Sequence, residues 1–139
     1  FEDVKQATQV CNEVGVFHSH FLIIGGVGET DETFDETIRN SEQLENTIIF
    51  PFIGMRIYPE TRLYEVALQE GKISEGSILK PTYYISDQID FQSLKEKTKH
   101  CKNRWIFPDA EKNPIVDRLR EKHRRGPLWE YLKYESLNS

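Results

Sequence analysis

The sequence is short of several things that would each announce a function. It has two cysteines, Cys11 and Cys101, near opposite ends and outside any metal-binding spacing, which excludes a local zinc or iron–sulfur motif. They read as reduced thiols of a cytoplasmic protein rather than as a disulfide. No run approaches the ~20 consecutive apolar residues a membrane helix needs, and the amino end has neither a basic region nor an apolar signal core. Basic charge is in deficit: the net charge is -5, so no broad case exists for nucleic-acid binding. Internal repeats and low-complexity segments are also missing. With 139 residues, 37% hydrophobic and 29% charged, the chain suits one folded domain with a real core. It enters a helical pattern directly from Phe1, the start expected of a segment taken from inside a larger protein.

What is present is an alternation of helical and extended patterns. Val4, Ala7, Cys11 and Val14 recur at steps of three or four and predict an amphipathic helix over 3–14, closed by Gly15. Residues 16–24, VFHSHFLII, read as a strand whose apolar carboxyl end is covered on both faces. Thr30 caps a second helix with Asp31 and Glu32 in its first turn and Phe34, Ile38, Ser41 and Leu44 along one face. A second extended run covers 48–58. Pro51 cannot donate to a ladder, so its regular part is expected from Ile53 to Tyr58. There Phe52, Gly54, Arg56 and Tyr58 share one face, opposite Ile53, Met55 and Ile57.

A third helix follows Thr61, with Leu63, Val66 and Ala67 as its apolar face and Gly71 as its stop. Short helix–strand alternation implies parallel strands joined by crossover helices, hence an α/β fold. Beyond Lys72 the pattern loosens. Residues 80–86 read as a loop or short extended piece, 90–103 as a helix presenting Phe91, Leu94 and Cys101, and a short helix is expected from Pro114 with Asn113 as cap. The basic tail around Lys122, Arg124 and Arg125 is expected to dock Leu128 and Trp129 on the domain.

The stretch that carries chemistry is FLIIGGVGETD at 21–31. A mononucleotide loop needs a lysine where Glu29 stands, and the dinucleotide fingerprint fails at its third glycine. Glu29, Asp31 and Glu32 would repel an anion. The turn thus suits a cationic or neutral ligand, or it is a strand-to-helix turn with glycines for geometry alone. Ligands of parallel α/β folds lie beyond the carboxyl ends of the strands, where this turn and RIYPET at 56–61 both fall. His18 and His20, two apart, point to one face. They read as structural imidazoles, as interior polar or substrate contacts, or as a metal pair without a third ligand.

IIGGVGETDETFDETI followed by MRIYPETRLYEVALQEG resembles the carboxyl-terminal half of the barrel in radical S-adenosylmethionine (radical SAM) iron–sulfur enzymes, particularly the subgroup with an amino-terminal cobalamin-binding domain. The family pattern Gly-x-Ile-x-Gly-x-x-Glu maps onto Leu22, Ile24, Gly26 and Glu29, with leucine replacing the first glycine. Its Gly-Pro-Gly-Glu-Thr turn maps onto 26–30, with Val27 replacing proline. Its Arg-Ile-Tyr-Pro-Gly-Thr-Pro-Leu-Tyr segment is matched at Arg56, Ile57, Tyr58, Pro59, Thr61, Leu63 and Tyr64, with Glu60 and Arg62 departing. KPTYYIS and RRGPLWEYL are similar to further pieces of this subgroup.

The resemblance implies half of a TIM-type barrel over 1–79 and a mostly helical extension over 80–139. It implies S-adenosylmethionine and a 4Fe-4S cluster in the full-length parent, an oxidoreductase or transferase, with cobalamin as a further cofactor there. Ile24, Gly25, Gly26, Gly28, Glu29, Arg56 and Tyr58 carry over as cofactor contacts, with bracing of the turn as the alternative for Glu29 and an internal ion pair as the alternative for Arg56. The cluster-binding Cys-x-x-x-Cys-x-x-Cys has no counterpart, so the chain is expected to be an inactive fragment. Its expected partners are the rest of the parent enzyme and, through exposed strand edges, itself. The alternative is a free-standing, non-catalytic α/β ligand-binding or interaction module.

Overall fold

A computed structural model describes residues 1–76, 80–107, 117 and 121–123. The helix expected from Pro114 and the docking of Leu128 and Trp129 lie outside the described residues. Among those residues four helices accompany two small sheets. Helix α1 spans Glu2–Glu13, α2 Asp31–Ser41, α3 Arg62–Gln69 and α4 Phe91–Thr98. Strands β1 (His20–Ile24), β2 (Ile48–Ile53) and β5 (Arg104–Trp105) form a parallel sheet in the order β1-β2-β5. Strands β3 (Met55–Arg56) and β4 (Tyr83–Tyr84) form an antiparallel pair. The α/β class stands, with parallel strands and helices between them; there is no closed barrel among the described residues.

Helix starts follow local chemistry. Thr30 accepts the Thr33 amide on its hydroxyl while Thr33 accepts the Thr30 amide, a reciprocal box at the start of α2. Thr61 and Asp90 cap α3 and α4 in the same manner, each accepting one first-turn amide. Helix α4 stops at Thr98 instead of continuing to 103. The chain then turns so that Lys102 and Asn103 reach back to the end of α2, which makes room for β5, a strand too short for any sequence pattern to reveal.

Strand β2 corrects the expected placement at Ile53–Tyr58. Ile106 donates to the Ile49 carbonyl, so the odd-numbered backbone groups of β2 point toward β5. Pro51 points the same way, and β5 pairs only with Ile48 and Ile49. The missing N–H of Pro51 therefore forfeits no ladder bond, and the strand runs through it until Gly54.

Register divides the sheet into two chemically different faces. His20, Leu22 and Ile24 align with Ile49, Pro51 and Ile53 on the helix side, where Ile24 joins Phe34, Ile89 and Leu94 in a core flanked by Ile38, Phe91 and Trp105. A second core beneath α3 gathers Ile57, Ala67, Ile73 and Tyr84. Phe21 and Ile23, paired with Phe50 and Phe52, occupy the other face, and Phe21 and Ile23 are each 61% exposed. Among the described residues, strand β1 is thus covered on one face only. Helix α1 also departs from expectation: Val4, Val10 and Val14 are exposed, and its one buried residue is Thr8.

Candidate functional site

The glycine turn sits at the carboxyl end of β1, against the bend that ends β2. Gly25 and Gly28 have φ of 90° and 77°, a left-handed backbone that favours glycine. Their neighbour Glu29 folds back over the turn, and its Oε2 accepts the amides of Gly25 at 2.5 Å and Gly26 at 2.9 Å. The Gly26 carbonyl accepts the Glu29 amide at 3.1 Å, and the Gly25 carbonyl accepts the Ser86 amide at 3.0 Å. Every backbone donor and acceptor of Gly25 and Gly26 already has a partner within the chain. A ligand would gain packing against this turn, with no free hydrogen-bonding group from those two residues.

Close approach explains Gly54, where an added methyl would lie 3.0 Å from both the Tyr84 carbonyl oxygen and Ile85 Cγ1; at Gly25 a methyl would only touch Ile85 Cγ2, at 3.4 Å, and the φ of 90° is what calls for glycine. Ile85 therefore lies across both turns. Its segment is tied down on either side: the Ser86 hydroxyl donates to the Glu29 carbonyl at 2.7 Å, and Lys72 Nζ donates to the Ile85 carbonyl at 2.7 Å and pairs with Asp87 at 2.8 Å. Gly26 abuts Met55, whose sulfur would stand 3.3 Å from an added methyl, whereas nothing approaches Gly28 within 4 Å. In the sequence, Ile85 and Ser86 fall within KPTYYIS, a loop or short extended piece similar to part of the radical SAM subgroup, but nothing there or at Lys72 ties them to the glycine turn, because contacts from an irregular strap leave no periodicity.

The expected contacts are therefore distributed unevenly. Gly25, Gly26, Gly28 and Glu29 form one turn, and Gly25 and Gly26 meet Gly54 and Met55. Ile24 is 1% exposed and turned into the core beneath α2 and α4. The isoleucine offered to a ligand on the open face is its neighbour Ile23. Arg56 and Tyr58 are exposed beyond β2, the guanidinium 5.0 Å from the Tyr58 ring centre. Tyr84, buried nearby, donates to Glu70 at 2.8 Å; burial first, and that acceptor second, push its pKa up to about 12, so it carries no proton chemistry near neutrality.

The two histidines belong to a different place. His20 accompanies Leu22 and Ile24 on the helix side at the amino end of β1, with Nε2 3.0 Å from the Thr8 hydroxyl. The His18 ring lies edge-on to it at 5.7 Å, and its Nδ1 donates to the Val16 carbonyl. This pair docks α1 and does not face the glycine turn. Burial, then the neighbouring His18, lower the His20 pKa below its ordinary 6.5. The unfolded chain then binds the proton better, so this contribution to stability is full above pH 6.5 and is lost as pH falls through 6.5 toward the folded value. His20→Gln is expected to flatten that slope, measured by urea unfolding at pH 5.5 and 7.5 (about one unit either side of the transition).

A cleft of about 470 Å³ opens between α1 and the loop before β2, lined by Lys5, Thr8, Asn12, Glu13, Gln43 and Glu45. It is at the amino ends of the strands, opposite the glycine turn. Cys11 and Cys101 are free thiols, and no group of three or more His, Cys, Asp or Glu side chains is disposed to hold a metal among the described residues. The chain's two cysteines do not fit the three-thiolate set of a radical SAM cluster. No family model, curated protein or solved structure matches the chain. No helix among the described residues is long and apolar enough to cross a membrane.

Glu29 is the keystone of the turn. Glu29→Ala is expected to cost about 1–2 kcal/mol by removing two charge-assisted hydrogen bonds, while Glu29→Gln, which keeps an acceptor oxygen, should cost less than half of that. Thermal melts of the two variants measure the difference.

Proposed function

We propose that this chain is the carboxyl-terminal part of a radical SAM barrel, contributing one wall of a SAM and substrate site and no part of the cluster. The observation that carries the reading is the placement of the glycine turn: it ends a parallel strand at the carboxyl rim, beside the Gly54–Met55 bend, with one sheet face left open. Parallel barrels build their sites at that rim. Together with the paired sequence motifs, this favours a half barrel continued by further strands beyond β1. The partners are then the rest of the parent enzyme and, through the β1 edge that no strand among the described residues pairs, a second copy.

In this reading Gly26 and Gly28 offer flat backbone to the adenosine, Ile23 supplies apolar support in place of the core-facing Ile24, and Arg56 pairs with a carboxylate of SAM or substrate. Gly25 and Glu29 hold the turn's shape. Tyr58 keeps Arg56 in place by stacking. The chain's own residues bind and orient; the cluster and the radical chemistry it supplies belong to the parent.

A specific observation favours a second reading, a non-catalytic α/β module that keeps the turn as scaffold. The Gly25 and Gly26 hydrogen bonds are spent internally, and Ile85 fills the space that Gly54 leaves and touches Gly25. Calorimetric titration separates the two. A SAM fragment binds SAM weakly and ignores inorganic phosphate, with affinity reduced in Arg56→Gln; a scaffold turn gives no saturable heat with either. Reconstitution with iron, sulfide and reductant is expected to yield no 5′-deoxyadenosine from the isolated chain.

A further inference from the structure

We infer that the open sheet face is a docking surface for a second copy of this chain, packed face to face. The face is built by register rather than by accident of side-chain choice. Phe21 lies directly opposite Phe50, and Ile23 opposite Phe52. Phe21 stacks on both phenylalanines, with ring centres 5.2 Å and 5.9 Å apart and planes within 17° and 24° of parallel. This ordered aromatic layer is open to solvent, with Phe21 and Ile23 61% and Phe52 41% exposed. It is bounded at the amino end by Ile48, which is buried, and at the carboxyl ends by exposed Val27 and Tyr58.

Charge and area choose the occupant. None of the four side chains is ionisable, so the patch carries no charge of its own to repel an identical patch. The exposed parts of these side chains amount to roughly 300–400 Å² of apolar area, the scale at which surface patches mark contacts. Two such faces, with Val27 and Tyr58 at the rim, bury on the order of 1,000 Å² in total, the lower bound for a specific interface. An uncharged apolar face that meets its own copy does so about a two-fold axis, stacking the sheets ~10 Å apart with the helices outside. The inference rests on the exposure of this face and not on the radical SAM reading, with which it competes: a dimer closed through Ile23 excludes SAM from the same face.

Sedimentation velocity of the chain from about 5 to 500 µM, chosen to bracket a weak interface of this size, tests it. The expected result is a reversible monomer–dimer equilibrium with a dissociation constant in the tens of micromolar. The double variant Phe21→Ser/Phe52→Ser should weaken it at least tenfold with unchanged circular dichroism, as should Ile23→Lys. Both changes are on exposed side chains and leave the helix-side core intact. A chain that stays monomeric across the range overturns the inference, as does a dimer insensitive to these variants. Because this face also carries Ile23 of the proposed SAM wall, the proposed function is read separately, by SAM calorimetry on the unsubstituted chain at the lowest of these concentrations, where the monomer predominates.

Discussion

Replacing Gly54 with alanine is expected to lower stability by about 3 kcal/mol, a drop of roughly 10 °C in Tm for a chain of this size. Two penalties combine. The residue has φ of 87°, where a side chain meets its own backbone. The added methyl also has nowhere to go: the Tyr84 carbonyl oxygen and Ile85 Cγ1 are 3.0 Å away and Tyr83 Cβ is 3.1 Å away. One of those neighbours is backbone, fixed by the pairing of β3 with β4, so it cannot swing aside. Gly28 isolates the conformational part, because its φ is 77° but no atom lies within 4 Å. Gly28→Ala should therefore cost only about 1 kcal/mol. Chemical denaturation of both variants checks the pair, and equal losses would contradict the steric argument.

Asn103→Ala is expected to cost a comparable amount, about 3 kcal/mol. The Asn103 side chain is 6% exposed, and its amide donates to the carbonyls of Ser41 and Leu44, both at 2.6 Å. The first carbonyl closes the last turn of α2, where helical partners run out, and the second lies in the turn that follows it. Truncation leaves the buried Leu44 carbonyl without this donor, leaves the Ser41 carbonyl with only the Leu44 amide at 3.0 Å, and opens a cavity beside them. Glu42 holds the same junction from outside, accepting the Lys102 and Asn103 amides at 2.7 and 3.2 Å. Water can replace an exposed carboxylate, so Glu42→Ala should cost about 1 kcal/mol. Because β5 follows directly, hydrogen exchange at the Ile106 amide should accelerate in Asn103→Ala well before global unfolding.

The parts of the fold legible in the sequence are those written in short-range chemistry. Thr30, Thr61 and Asp90 mark helix starts because a cap needs a side-chain oxygen at one position. Gly15 and Gly71 mark ends through their left-handed φ of 71° and 68°. The parallel pairing followed from alternation of strand and helix. Strand β5 was illegible because two residues carry no pattern, and β2 was misplaced because the tolerance of Pro51 depends on where its neighbour ends. The coverage of β1 was overestimated, since an apolar run does not say whether a second layer is present.

The site was half legible. Gly25, Gly26 and Gly28 with Glu29 announced a turn, but what it packs against lies far along the chain, in Gly54 and Met55 and in the Ile85–Ser86 strap. Ile23 and Ile24 are indistinguishable by type; only register decides which faces the core.

The central claim, that the glycine turn and the open face beside it form one wall of a SAM site, is tested most directly by amide-resolved nuclear magnetic resonance during SAM titration to millimolar concentration. The account predicts saturable shifts at Gly26, Gly28, Ile23 and Arg56, with Gly25 moving little because Glu29 holds it. Shifts confined to the cleft at Lys5, Thr8 and Glu45, or no shift at the glycine turn at saturating SAM, would contradict it.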